Sequence, residues 1–268
     1  MIDALRRELR EEVGLEIFDP RPLIRIPFEY SDKRVLLDVW TVERFSGEPH
    51  GREGQPVEWV EVSDLRDRAF PVANRPIVSA LSLPHWYLIT PEPGDDSQAF
   101  FRHLDRALDS GIRLVQFRAD FRNARVRGMA ADVLTLCRQR DARLLLNSDF
   151  ELAREIGADG VHLKASDLLR LEQRPLPPSF LVAASCHDSA ELAAAERLGV
   201  DFAVLSPVRI TATHPEAPAL GWTNFATLVD AAALPVYALG SLGCDDLADA
   251  LAHGAQGVAA IRGLWSAG

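Results

Sequence analysis

From Trp86 onward the chain repeats one local pattern eight times: a short apolar run, a turn, and in most cases a helix-length stretch before the next run. The strand candidates are 86–90, 113–118, 143–148, 160–164, 180–186, 202–208, 236–240 and 257–261. Runs such as Leu144-Leu145-Leu146 and Phe202-Ala203-Val204-Leu205 suit strands buried on both faces, as in a parallel sheet covered by helices. Eight such units between residues 86 and 268 predict a compact (β/α)₈ barrel, with an open doubly wound sheet as the alternative. With 47% hydrophobic residues in 268, the chain has enough apolar material for a substantial core.

Residues 1–82 follow a different rule, and the boundary falls near Ser82-Leu83-Pro84. Leu5, Leu9 and Val13 recur at a spacing of four, which predicts an amphipathic helix closed by Gly14. Strand-like segments at 23–30 and 34–45 flank Ser31-Asp32-Lys33, and a third is expected at 57–62. Pro71-Val72-Ala73-Asn74-Arg75-Pro76 then leads into a short apolar helix running toward Leu81. The fold class is therefore α/β: a small α+β piece over 1–82, then a TIM barrel over 86–268.

Acidic residues number 39 against 29 Lys plus Arg, a net charge of −10, which argues against a surface built to grip a nucleic acid polymer. Three widely spaced cysteines, Cys137, Cys186 and Cys244, fit neither a disulfide framework nor a closed zinc site. No apolar run has the length of a membrane span, and the N-terminus is charged from Arg6 onward. The expectation is a cytoplasmic protein without a membrane partner; oligomeric state, including a homo-oligomer, is left open.

Glu8, Glu11 and Glu12 fall at i, i+3 and i+4, so they share roughly a third of a helix circumference. Three crowded anions are unfavourable unless solvated or compensated, and a bound Mg²⁺ or Mn²⁺ would compensate them. The string Arg7-Glu8-Leu9-Arg10-Glu11-Glu12-Val13-Gly14 resembles the second half of the Nudix box. Val39-Trp40-Thr41-Val42-Glu43-Arg44-Phe45-Ser46-Gly47-Glu48-Pro49, Glu53-Gly54-Gln55-Pro56 and Pro71 to Pro76 are similar to the MutT type, which hydrolyses oxidised guanine nucleoside triphosphates. The resemblance implies that Glu53 joins Glu8, Glu11 and Glu12 as catalytic metal ligands, that Asn74 hydrogen-bonds the base, and that Tyr30 lines its pocket. An amide offers donor and acceptor together and can read a purine edge. The opening Gly and Glu of the box, with several strands, would lie before Met1, so we expect the reading frame to extend upstream.

In a (β/α)₈ barrel, chemistry sits where polar residues close an apolar run. Here these are Gln116 and Arg118, Asn147, His162 with Asp167 beyond it, Ser185 and His187, Thr211 and Thr213, and the turn Gly240-Ser241. Backbone amides of that turn and of 260–263 would cradle a phosphate. Their order, with Tyr87-Leu88-Ile89-Thr90 and Gly157-Ala158-Asp159-Gly160-Val161-His162-Leu163, resembles the thiamine phosphate synthase and TenI family. The resemblance implies substrate contacts at Gln116, Arg118, Asn147, Ser185, Thr211, Thr213, Gly240 and Ser241, a metal ligand at Asp167, and an acid/base at His187. Four positions depart from synthases: Asp120 replaces a Lys, Ser148 replaces an Asp metal ligand, His214 stands for a basic residue, and Ser241 for a second Gly.

Two functions follow as expectations. One is a Mg²⁺-dependent MutT-type diphosphatase acting on a nucleoside triphosphate, fused to a TenI-like barrel. The alternative is a thiamine-pathway enzyme, or a non-catalytic sensor, that takes a phosphorylated thiamine precursor. Exchanging Lys for Asp shifts local charge by two units against a diphosphate, whereas thiazole tautomerisation needs only an acid/base.

Overall fold

The computed structural model describes residues 2–29, 33–211 and 218–265, which fall into two units, Met1–Ser82 and Leu83–Gly268. In the first unit α1 (Ile2–Glu12) carries half-buried Leu5 and Leu9 and exposed Glu8, Glu11 and Glu12. Four strands follow: β1 (Glu16–Phe18), β2 (Arg21–Glu29), β3 (Arg34–Thr41) and β4 (Arg44–Ser46). β2 and β3 form an antiparallel hairpin that places Ile26 opposite Leu37, while β1 pairs with β4 through Ile17 and Phe45. Short 3₁₀ turns at Val62–Asp67 and Val72–Asn74 lead to α2 (Arg75–Ser82).

Two expectations for this unit need correction. The segment 34–45 is not one strand: the chain turns at Val42 and Glu43, whose carboxylate is held by Arg21 at 2.7 Å, and β4 changes partner to β1. No strand forms at 57–62. Val57 and Trp59 are exposed, and Trp59 stacks on Phe45 with ring centroids 5.5 Å apart. Apolar alternation without a neighbouring backbone to complete a ladder does not make a strand.

The second unit alternates strands with helices: β5 (Trp86–Ile89), α3 (Ser97–Asp109), β6 (Leu114–Phe117), α4 (Ala124–Gln139), β7 (Arg143–Asn147), α5 (Phe150–Ile156), β8 (Gly160–Leu163) and α6 (Ala165–Leu168). It continues through β9 (Leu181–Cys186), α7 (Ser189–Leu198), β10 (Phe202–Leu205), α8 (Gly221–Asp230), β11 (Val236–Ala238), α9 (Leu247–Ala252), β12 (Gly257–Ala260) and α10 (Arg262–Trp265). The eight parallel strands close, β12 pairing with β5 and β9 with β10, so the expected barrel is formed and the open sheet is not.

Alternate residues along each strand divide between two cores. Tyr87, Leu114, Leu145, Leu181, Phe202 and Tyr237 fill the barrel interior, while Leu88, Phe117, Leu144, Leu146 and Val182 pack outward against helices. The three interior aromatics interlock, with centroids 5.3 to 5.6 Å apart. Where β8 meets β9, a Cβ on Gly160 would stand 2.0 Å from the Leu181 carbonyl oxygen, so this contact admits only glycine. Asp96, Asn123, Asp149 and Asp188 cap α3, α4, α5 and α7 by accepting first-turn N–H bonds. Among the described residues no helix is long and apolar enough to cross a membrane.

Candidate active site

The inward-facing rows turn polar toward the carboxyl ends of the central strands. Gln116 follows Leu114, Asn147 follows Leu145, His162 follows Gly160 and Ser185 follows Ala183, each two residues on and therefore on the same face. A cavity of about 920 Å³ opens at this end, lined by Gln116, Arg118, Asn147 and Ser185 together with Asp120, Arg122, Ser148 and Lys164.

Its floor is a set of neutral hydrogen-bonding groups. Gln116 Nε2 donates to Asn147 Oδ1 at 3.0 Å. His162 is buried, with Nδ1 2.9 Å from the Tyr87 hydroxyl and Nε2 2.8 Å from Ser185 Oγ. Burial pulls its pKa down to about 3, so the imidazole is neutral at physiological pH. The Arg118 backbone N–H donates to the buried Thr90 hydroxyl at 3.1 Å. Its guanidinium Nε is buried without a hydrogen-bond partner among the described residues, leaving a cationic donor in the cavity wall suited to an anionic ligand.

The rim is internally compensated. Asp120 accepts from Arg122 Nε at 2.8 Å and Nη2 at 2.7 Å, and these bonds hold its carboxyl at about 2. Ser148 adopts φ +56°, accepts the Lys164 N–H at 3.2 Å and hydrogen-bonds Asp167. Burial pushes Asp167 up, but the bonds from Ser148 and Arg170 and the charges of Arg170 and Lys164 outweigh it and hold the carboxyl below its ordinary range.

His187 follows directly after β9 and does not line the cavity. Its backbone N–H and Nδ1 both meet the Glu191 carboxylate, at 2.7 and 2.8 Å. A carboxylate only accepts, so Nδ1 carries the proton and Nε2 is left as the basic lone pair of the neutral ring. Gly240 (φ +131°) and Ser241 (φ +52°) make the turn after β11. A Cβ on Gly240 would stand 2.6 Å from the Val208 nitrogen, and Ser241 Oγ donates to the Ile210 carbonyl at 2.8 Å. A parallel bridge between Gly243 and Gly263 draws this turn against the one after β12. Thr211 closes the described stretch beside that turn, while Thr213 and His214 lie outside the described residues, as does Tyr30 in the first unit.

In the first unit the loop carrying Glu53 is tied to the end of α1. Arg52 N–H and Gln55 Nε2 donate to the Glu12 carbonyl at 3.0 and 3.3 Å, and His50 N–H donates to the Val13 carbonyl at 3.1 Å. Gly14, at φ +75°, permits the approach, since a Cβ there would stand 2.7 Å from the His50 ring. Glu8, Glu11, Glu12 and Glu53 are exposed, and Asn74 is half-buried in the turn before α2. Among the described residues no three His, Cys, Asp or Glu side chains converge to hold a metal. The expected Mg²⁺ or Mn²⁺ ligand sets, around these glutamates and at Asp167, are therefore not gathered: the glutamates face solvent, and Asp167 is engaged by Ser148 and Arg170.

The strand-end rule also reaches Lys164, which closes Val161-His162-Leu163 and lines the cavity. Glu92 and Arg122 stand on loops, where no periodicity marks them.

Residues 86–264 match the family described as thiamine monophosphate synthase, two thirds of the chain. The chain belongs to this family. A thiamine-phosphate synthase of Chromobacterium violaceum is 37% identical over 187 residues, covering 68% of this chain and 88% of the relative. One of Methanospirillum hungatei is 32% identical over 181 residues, covering 66% and 88%. The solved thiamine phosphate pyrophosphorylase of Pyrococcus furiosus shares the fold with a TM-score of 0.56 at 22% identity, over 74% of this chain and 91% of that one. Residues 1–81 match the NUDIX domain, so a thiamine monophosphate synthase family barrel and a Nudix region occupy one chain.

Proposed function

We propose that the barrel binds a phosphorylated thiamine precursor in its carboxyl-end cavity and catalyses metal-independent proton transfer on it, of the thiazole tautomerase kind. The observation that carries this reading is the chemistry of the cavity: neutral Gln116, Asn147 and Ser185 at the floor, the unpaired Arg118 donor in the wall, and Ser148 where synthases place a metal-binding Asp. The glycine-dependent turns at Gly240-Ser241 and Gly263 supply close backbone for the single phosphate. His187, held by Glu191 at the end of β9 beyond the cavity lining, takes the acid/base role when its Nε2 turns to the ligand at the cavity mouth, removing a proton from one position of the ring and returning it to another, an isomerisation with no net consumption of protons.

The test is to incubate the full chain with either tautomer of the thiazole phosphate precursor in excess chelator. Interconversion is expected, slowed about 10²-fold or more in His187→Ala. Chelator-sensitive turnover, or formation of thiamine phosphate from a pyrimidine diphosphate and thiazole phosphate, would count against the reading. Tight binding without turnover would mark a sensor instead.

The stitching of the Glu53 loop to the end of α1 favours a second activity, hydrolysis of an oxidised guanine nucleoside triphosphate by residues 1–81. Pyrophosphate release from 8-oxo-dGTP in the presence of Mg²⁺, abolished by Glu12→Gln, supports it; equal turnover in wild type and variant removes it.

A further inference from the structure

Among the described residues β2 and β3 pair only with each other, so each strand has an open edge. The two edges are not equivalent. Pro22 lies opposite Trp40 and Pro27 opposite Leu36. A proline has no N–H for the ladder, so both pairs take the phase in which N–H and C=O groups point away from the partner strand. On β2 this leaves the outer edge without donors at Pro22 and Pro27. On β3 the same phase turns the N–H and C=O groups of Arg34, Leu36, Asp38 and Trp40 outward, and among the described residues none of these N–H groups donates outside the hairpin. One edge is blunted, and the other is a complete template for a further strand.

The side chains along the complete edge decide which strand fits it. Leu36 is 56% exposed in mid-strand, while Val35 and Leu37 beside it are half-buried. Arg34 gives Nε to Glu29 at 3.0 Å, and among the described residues its terminal guanidinium nitrogens make no hydrogen bond. Asp38 accepts Arg25 Nε through Oδ1 at 3.4 Å, and its Oδ2 is buried without a partner. Arg34, Leu36 and Asp38 share one face of the strand. An identical strand laid antiparallel, with Leu36 opposite Leu36, brings Arg34 of each copy opposite Asp38 of the other. On the opposite face the same register sets Val35 against Leu37. A two-fold axis moved to Leu37 would set Arg34 against Trp40 and Asp38 against Leu36, without a charge pair. Moved to Asp38, it would set two carboxylates against each other, which is unfavourable.

We infer that β3 is the docking edge for a second copy of this chain, joined across a two-fold axis at Leu36 into a four-stranded antiparallel sheet in the order β2-β3-β3-β2. The two Arg34–Asp38 pairs set the register, and a carboxylate turned toward the edge gains the donor that Oδ2 lacks. Both outer strands of this sheet are β2, whose prolines interrupt the edge, so association closes at the dimer. The interface belongs to residues 1–82 and is independent of both activities proposed above.

Sedimentation of the full chain across about 1 to 100 μM tests it, with wild type expected to pass from monomer to dimer in that range. Arg34→Asp and Asp38→Arg each place like charges opposite one another twice per dimer, and each should weaken association about tenfold or more. Mixing the two variants in equal amounts should restore association, because every Asp of the mixed dimer then meets an Arg. Restoration also shows that both variants fold. Leu36→Lys, at a side chain already exposed, should weaken association to a similar extent while leaving the far-ultraviolet circular dichroism unchanged. A wild-type chain that stays monomeric throughout, a dimer indifferent to the charge reversals, or variants that fail to associate on mixing would each overturn the inference.

Discussion

A histidine that ends an apolar run on the page of a sequence is ambiguous between a catalytic group and a core group, and His162 is decided by depth. It lies inside the barrel, neutral, between two hydroxyls. Its pKa of about 3, against about 6.5 when unfolded, means the unfolded chain binds one more proton throughout that interval. Barrel stability is therefore full above about pH 6.5 and falls as pH drops toward 3, by at most about 1.4 kcal/mol per pH unit from this group. Denaturant titrations of the barrel at a series of pH values should show His162→Gln losing that component; superimposable profiles would refute it. Asp120 acts with the same sign: the Arg122 fork lowers its carboxyl to about 2, so its stabilising contribution is full above about pH 4 and is lost as pH falls from there to about 2, where the pair itself is broken by protonation. Carboxyl NMR should place Asp120 near 2 in wild type and back in the usual range in Arg122→Ala. Gln116, Arg118, Asn147 and Ser185 were legible as cavity residues because each is a polar residue at a strand end with a fixed two-residue phase. The Asp120–Arg122 pair was not, since a loop carries no period to read.

At the level of elements, the eight barrel strands were legible almost to the residue, because a parallel strand buried on both faces leaves an unbroken apolar run between polar turns. The expected strand at 202–208 ends at Leu205, beyond which Ser206 N–H makes one last bond to the Cys186 carbonyl and Pro207 has no N–H to continue the ladder. The first unit was less legible: its short strands are half-exposed, and partner choice between β1 and β4 depends on chain geometry that local pattern does not encode. The turn from β9 into α7 joins element stability to the site. Asp188 caps α7 by accepting the Glu191 N–H at 2.9 Å, and Glu191 in turn holds His187. Asp188→Ala should cost about 1 kcal/mol in denaturant midpoint analysis. It should also lower thiazole tautomerase turnover, because the capped residue is the one orienting the imidazole. Gly160→Ala, which drives a methyl into the Leu181 carbonyl, should cost roughly 3 kcal/mol or more without touching the cavity lining; a variant of wild-type stability would contradict the close β8–β9 approach.

For the molecule as a whole, the distribution of buried apolar residues decides how the chain comes apart. Within residues 2–82 the buried hydrophobic residues described are Ile17, Ile26, Ala73 and Ala80, whereas the barrel encloses two extensive cores, one inside the strands and one between strands and helices. Apolar burial is the dominant favourable contribution to folding, so the two units have unequal stability. Urea should therefore produce two separated transitions, the earlier one reported by Trp40 and Trp59 and the later by Trp86, Trp222 and Trp265, where a single coincident transition at all probes would refute independent cores. Thiazole phosphate at a hundred times its Kd should move the later transition alone, by about 2.7 kcal/mol, since a ligand stabilises only the unit that binds it. A shift of both transitions would instead require energetic coupling between the Nudix region and the barrel.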